Sequence, residues 1–370
     1  MGLLSMKNIH CVTDKALFDA LNQSQISMGE MSDLFLDRGI IISKKTPRKD
    51  LAKNFSKFNH DYYDHQKIAS YLGGGARKER STSKIIESKL NDDVILAAAD
   101  ELKTSIEKES DLCQVYKNNG KIYISITYLS TNYGRSDFKQ VIKKEALIEI
   151  ERQQNSYVIR RPDNEQIENY EAKLFASLEK EIQKNNDEEV QSEDISPLSI
   201  KEISMEDLID PNMRTLFFTK LITNLEGFVL EDVTDAYVFH PKPERLEEED
   251  GNTETGVHVS RASLKGEGVL KSEELSSLYE RGFYIWKIKW TAKEKIPDPD
   301  IYEFEAQFSN QEEFKDFSYS AKSVKKYKGF GKYNKNFVSL TKAEENKFLK
   351  LIENAAYSII MDLENQAQGE

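Results

Sequence analysis

The sequence predicts an α+β protein: an N-terminal helical region with a small antiparallel sheet, then a second α+β domain that ends in a long amphipathic helix. Three observations carry that prediction. Apolar residues recur at helical spacing through residues 14–108, an Asn-Gly hairpin signal opens a run of strand-like segments at residue 109, and residues 341–363 combine a capping box with one apolar stripe. A chain of 370 residues also exceeds what one core usually fills. The expected layout is a helical basic region over 14–108, a small sheet with a following helix over 109–184, an acidic linker over 185–199, and a C-terminal α+β domain over 200–366.

In the first region Leu17, Phe18, Leu21, Met31, Leu34 and Phe35 share a helical face that Gly39 closes. Ile40, Ile41 and Ile42 make a short extended link. Thr46 then reads as an N-cap with Pro47 at the first helical position, and Leu51, Phe55 and Phe58 point inward from the helix that follows. Asn59 is positioned to cap the next helix, which ends at Gly73, Gly74 and Gly75. Ser81, Thr82 and Ser83 open a further helical stretch, and Val94 to Ile106 gives the last helix of this half.

The period then shortens to two. Gln114 to Lys117 and Lys121 to Ser130 flank Asn118, Asn119 and Gly120 as a hairpin, and Leu147 to Arg152 with Tyr157 to Arg161 form a second. Asp163 and Gln166 resemble a capping box before a helix marked by Ile167, Tyr170, Leu174, Leu178 and Ile182. In the last domain Pro211 to Asn224, Ser272 to Arg281 and Asn310 to Phe314 read as helices. Ala236 to His240, Val257 to Leu264, Phe283 to Thr291, Tyr302 to Phe308 and Phe317 to Tyr327 read as strands. Residues 241–256 read as a mobile acidic loop. Thr341 and Glu344 cap a final helix whose stripe runs through Phe348, Leu351, Ile352, Ala355, Ile359 and Leu363.

Composition excludes several classes. No apolar run approaches a membrane span, and the N-terminus lacks a charged lead into a long apolar stretch, so a cytoplasmic protein with no membrane partner is expected. Cys11 and Cys113 are the only cysteines and form no CxxC, which argues against a disulfide framework and a zinc site. His60, Asp61, Asp64 and His65 have metal-pair spacing, but no further ligand set completes a site. Neither a metal nor any other cofactor is therefore called. Gly73 to Arg80 is glycine-rich and basic yet lacks a P-loop's Gly-Lys-Ser/Thr.

Charge is the informative feature. The chain carries a formal −12, yet between Arg38 and Lys89 thirteen Lys or Arg stand against five Asp or Glu. Separation of sign on that scale points to an anionic partner, most simply nucleic acid. Lys49, Lys53 and Lys57 follow at i, i+4 and i+8, with Arg38, Lys44, Lys45 and Arg48 beside them and Arg77, Lys78 and Arg80 beyond. Like charges at that spacing cost about 0.2–0.5 kcal/mol per pair unless neutralised. Phosphates would neutralise them, and Ser43 and Thr46 would add hydrogen bonds; a solvated lysine face is the plainer alternative.

Residues 31–40 (MSDLFLDRGI) and 43–51 (SKKTPRKDL) resemble the helix-extension-helix of SAP-type DNA-binding modules, a resemblance that covers residues 31–58. It implies that Arg38, Ser43, Lys44, Lys45 and Lys49 face a DNA backbone. The segment departs from the pattern in having no glycine after Ser43 and a longer link to Leu51.

A second basic cluster comprises Lys322, Lys325, Lys326, Lys328, Lys332 and Lys335, interleaved with Phe317, Tyr319, Tyr327, Phe330, Tyr333 and Phe337. Lysines beside aromatics suit phosphates beside unstacked bases. The alternative is a lysine-rich hairpin with core-facing aromatics, which explains Phe330, between two glycines, least well. Catalytic patterns are weaker. Asp298, Glu303, Glu305 and Gln307, and Asp235 with Lys287 and Lys289, only loosely approach a metal-dependent nuclease pattern.

The expectation is thus a non-catalytic nucleic-acid-binding subunit, DNA favoured, of a bacterial multi-protein complex such as a defence, restriction or repair assembly. A catalytic partner protein would supply the chemistry, and oligomerisation stays open. A protein-interaction scaffold and a cryptic metal-dependent nuclease remain as alternatives.

Overall fold

The computed structural model describes residues 12–73, 79–87, 90–154, 156–188, 198–242 and 259–368. In chain order the elements are α1 (Asp14–Leu21), α2 (Met28–Leu36), α3 (Arg48–Phe55), α4 (Tyr62–Gly73), β1 (Ser81–Glu87), α5 (Asp92–Lys108), β2 (Leu112–Asn118) and β3 (Lys121–Thr131). There follow β4 (Val141–Gln153), β5 (Ser156–Pro162), α6 (Glu165–Glu188), β6 (Ser199–Glu202), α7 (Pro211–Thr223), β7 (Phe228–Phe239) and β8 (Arg261–Lys265). The last are α8 (Glu273–Glu280), β9 (Tyr284–Glu294), β10 (Ile301–Asn310), β11 (Lys315–Lys325) and α9 (Lys342–Gln368). The protein is α+β, as its sequence predicts. No helix among the described residues is long and apolar enough to cross a membrane.

The chain forms two compact units. The first gathers residues 1–78, 92–147 and 172–177. Its helical part, α1 to α4, closes over Leu17, Leu21, Met31, Leu34, Phe35, Leu51, Phe55, Ile68 and Leu72. One predicted helix is in fact two: Ser27 and Glu30 form a reciprocal capping box that starts α2 afresh. Its β part places β3 between β2 and the opening of β4. The Asn119-Gly120 turn has φ +50° and +76°, the left-handed pair that a two-residue hairpin needs. Ile122, Ile124 and Ile126 alternate inward along β3, and α5 packs on β2.

The second unit gathers residues 79–91, 148–171 and 178–370. Its strands run antiparallel in the order β5-β1-β11-β10-β9-β7-β8, with β6 on β1. One sheet face carries Ile288, Trp290, Phe304, Phe308 and Tyr319 into a core with Phe217, Phe218, Phe348 and Ile352 of α7 and α9. Thr341 and Glu344 cap α9 reciprocally, as predicted, and Ser272 caps α8 through the Leu275 N–H.

Several elements differ from expectation. Ser81–Glu87 is a strand, not a helix, because it pairs with β5 on one side and meets β6 and β11 on the other. Tertiary pairing overrides local pattern there. Residues after Asn310 form a tight turn with Phe314 at φ +59° and buried, not a helix. Asn164, not Asp163, caps α6 through the Ile167 N–H, and Asp61, not Asn59, caps α4 through the Asp64 N–H. The predicted acidic loop falls largely, and the acidic linker mostly, outside the described residues.

Candidate nucleic-acid interface

The basic island of the first unit separates into engaged and unengaged cations. Gly39, at φ +73°, turns the chain out of α2, and Ile40 donates back to the Phe35 carbonyl at 3.0 Å. Arg38 is thereby directed inward. Its Nη2 donates to the Asn59 carbonyl and to Asp64 Oδ2, each at 2.6 Å, and its guanidinium lies 5.1 Å from the Phe55 centroid and 5.2 Å from that of Phe58. Phe35, Phe55 and Phe58 themselves meet edge to face. His60 Nε2 donates to the Phe55 carbonyl at 2.9 Å, and its Nδ1 lies 3.2 Å from Arg38 Nη2. Arg48 caps the C-terminal end of α1, with Nη1 on the carbonyls of Leu21 and Gln23 at 3.3 and 3.1 Å. These two arginines, both expected on the nucleic acid, hold the helical unit together.

Lys44, Lys45, Lys49, Lys53 and Lys57 behave otherwise. All five are exposed, and none makes an ion pair among the described residues. Ser43 shapes the link, accepting from the Thr46 N–H through its carbonyl and from the Lys45 N–H through its hydroxyl. Pro47, rather than Thr46, occupies the N-cap of α3, and no side chain caps that helix. Lys49 and Lys53 share a face of α3, whereas Lys57 follows the C-cap Ser56 and is not on the helix. The predicted stripe is therefore two helical lysines plus one in the turn. Ile41, 89% exposed, stands in the link beside them. Arg77 and Lys78 lie outside the described residues.

In the second unit Arg80 is also engaged, with Nε donating to Ser318 Oγ at 3.1 Å and ion pairs to Asp163 and Glu305 at 3.5 Å. It belongs to a polar sheet face that strand register makes explicit. Lys265, Asp235, Lys289, Glu305 and Ser320 face one another across β8, β7, β9, β10 and β11. The next row is Ser263, Tyr237, Lys287, Gln307 and Ser318. The residues of the loose nuclease pattern thus share one surface, apart from Asp298, which stands at φ +52° in the turn before β10.

Their carboxylates are occupied by cations. Lys322 and Lys287 reach Glu305 at 2.5 and 3.2 Å, and Lys289 reaches Glu303 at 2.7 Å, where Ser323 Oγ also donates at 2.8 Å. Burial would raise the Glu305 carboxyl, but Lys322 and Lys287 bring it below its usual range. Burial lowers the Lys287 ammonium against the opposing pull of Glu305, and Arg80 and Lys322 lower it further. Among the described residues no group of three or more His, Cys, Asp or Glu is arranged to hold a metal ion. Lys322 is accordingly part of this network.

The C-terminal cluster sorts in the same way. Phe317 and Tyr319 are buried in the core. Lys326 bridges Asp300 at 3.0 Å and Glu344 at 2.8 Å, and Lys325 lies 4.8 Å from the Phe337 centroid. Lys328, Lys332 and Lys335 are exposed without an ion pair among the described residues, and Phe330 is 101% exposed.

Charge counting placed both clusters but missed which members are engaged, because Asp64, Leu21, Gln23 and Glu305 are distant in sequence from the cations they hold. No protein-family model matches the chain, and no curated protein matches it.

Proposed function

We propose that the chain binds nucleic acid, DNA favoured, through Lys44, Lys45, Lys49, Lys53 and Lys57 of the link and helix in its first unit. The observation that supports this most is selective: five exposed lysines have no acidic partner among the described residues, in a segment where Arg38 and Arg48 are held by internal acceptors. Clustered like charges repel one another, and a phosphate backbone relieves that repulsion while releasing counterions. In this reading Arg38 and Arg48 stiffen the platform and the lysines make contact. The residues touch phosphates rather than base edges, so they position nucleic acid without reading its sequence.

The same reading makes the chain a non-catalytic subunit, with cleavage or modification supplied by another protein of a bacterial defence, restriction or repair assembly. The lysines seated on Glu303 and Glu305 favour it over metal-dependent cleavage, since a metal would have to displace them. Gel shift with duplex and single-stranded DNA tests the proposal. Binding at low salt that falls steeply as salt rises supports it, and no shift at low salt removes it.

A further inference from the structure

The turn that joins β11 to the segment preceding α9 presents one aromatic ring to solvent on a constrained support. Gly329, Phe330 and Gly331 take φ of +90°, +53° and +70°, three successive left-handed residues of which the middle one is not glycine. Such a conformation is unfavourable for phenylalanine and persists only where its surroundings impose it. Here they do. Lys328 donates to the Lys332 carbonyl at 2.8 Å, Lys332 to the Gly329 carbonyl at 3.0 Å, and Asn334 to the Lys326 carbonyl at 3.0 Å. The Gly331 N–H donates to Tyr327 Oη at 3.0 Å, and Tyr327 and Tyr333 meet edge to face at 5.4 Å below the turn. The Tyr327 N–H is fixed in turn on Asp300 Oδ1 at 2.7 Å.

This support holds an apolar ring 101% exposed. Exposure alone is ordinary for a single apolar residue, but an outward ring on an imposed left-handed backbone is the arrangement of a ligand clamp. The surroundings narrow the ligand: Lys328 and Lys332 flank the ring, Lys335 follows, and no Asp or Glu occurs between Asp316 and Glu344. A membrane-inserting tip would pair the ring with further apolar side chains, but the exposed side chains within two residues of it are Lys328 and Lys332. An exposed planar ring with an exposed lysine two residues to either side is complementary to a base with its flanking phosphates.

We infer that Phe330 stacks on an unpaired base while Lys328 and Lys332 hold the adjoining phosphates, so that the nucleic acid preferred by this chain is single-stranded or carries unpaired bases. This rests on the nucleic-acid reading above and adds the class of ligand. It also gives the exposed ring and its left-handed backbone a common purpose.

The test is fluorescence anisotropy of the full chain with a labelled oligothymidine and with a blunt duplex of equal length, at low salt. Phe330→Ala is expected to weaken oligothymidine binding about tenfold and leave the duplex nearly unchanged. Phe330→Trp is expected to retain binding and to show indole quenching when the oligothymidine is added. Phe330→Gly, which keeps the left-handed backbone, should match Phe330→Ala if the ring is what matters.

Three results overturn the inference. Equal affinity of wild type for both oligonucleotides with Phe330→Ala unchanged would remove it while leaving the lysine reading intact, provided Lys49→Glu with Lys53→Glu abolishes binding. Loss of binding to anionic vesicles, rather than to oligonucleotides, in Phe330→Ala would assign the tip to a membrane. Wild-type binding to neither oligonucleotide would remove both readings together.

Discussion

Arg38, just past the end of α2, donates a 2.6 Å hydrogen bond to Oδ2 of Asp64 on α4, and its guanidinium lies over the Phe55 and Phe58 rings. A residue that the SAP-like pattern assigns to a DNA backbone is thereby a structural tie. The exposed lysines that follow it have no comparable attachment among the described residues. One basic segment therefore serves two purposes, and substitution separates them.

Arg38→Ala is expected to lower the free energy of unfolding by about 1.5–3 kcal/mol, since charged hydrogen bonds and stacking on two rings are lost together. Lys49→Ala and Lys53→Ala should each stay within about 0.5 kcal/mol of wild type, as substitutions of exposed residues do. Urea unfolding of the three variants measures both. Equal destabilisation by Arg38→Ala and Lys49→Ala would contradict the division.

In the second unit Arg160 is held by Glu353 in two-pronged fashion, Nε to Oε2 at 2.8 Å and Nη2 to Oε1 at 2.6 Å, while its Nη1 meets Glu149 at 2.6 Å. Tyr319 Oη donates to the same Glu353 at 2.6 Å. Burial alone would lower the guanidinium, but Glu353 raises it above its ordinary value. Glu353→Leu should cost about 3–5 kcal/mol, because Nε and Nη2 of a buried cation lose their acceptors and only Glu149 still faces it. Arg160→Met combined with Glu353→Leu should recover part of that loss, read as a coupling energy in a double-mutant cycle. Simple additivity of the two single changes would refute the assignment.

Glu344 caps α9 and meets Lys326, whose ammonium, followed by the Thr341 backbone N–H and hydroxyl, holds the carboxyl down at about 2 against a desolvation that would raise it. The folded value lies below the ordinary 4.5, so the stabilisation is complete above that value and is lost as pH falls through about 2. Titrating the Glu344 carboxyl by carbon NMR should give that low midpoint, and Lys326→Ala should move it up towards the ordinary range. A wild-type midpoint near 4.5 would show that the cap and bridge do not persist in solution.

Much of the fold is legible where the determinants are local. Asn119-Gly120 announces its hairpin because both residues need positive φ, and Thr341 with Glu344 announces α9 because the two groups cap each other. What stays hidden depends on distant chain. Ser81 to Glu87 becomes a strand through partners such as Arg161 and Lys201. The site follows the same rule: exposure of Lys44, Lys45 and Phe330 follows from their turns, whereas the engagement of Arg38, Arg48, Arg80 and Lys322 depends on acceptors that no spacing reveals.

The salt dependence of single-stranded and duplex DNA binding, measured for wild type and for a Lys44→Gln, Lys45→Gln, Lys49→Gln, Lys53→Gln variant, is the most direct test of the central claim. Wild type should bind at low salt with a log–log slope that shallows in the variant by about 0.7 to 0.9 for each lysine that contacts a phosphate. An identical slope and affinity in the two proteins would contradict the assignment of those lysines to nucleic acid.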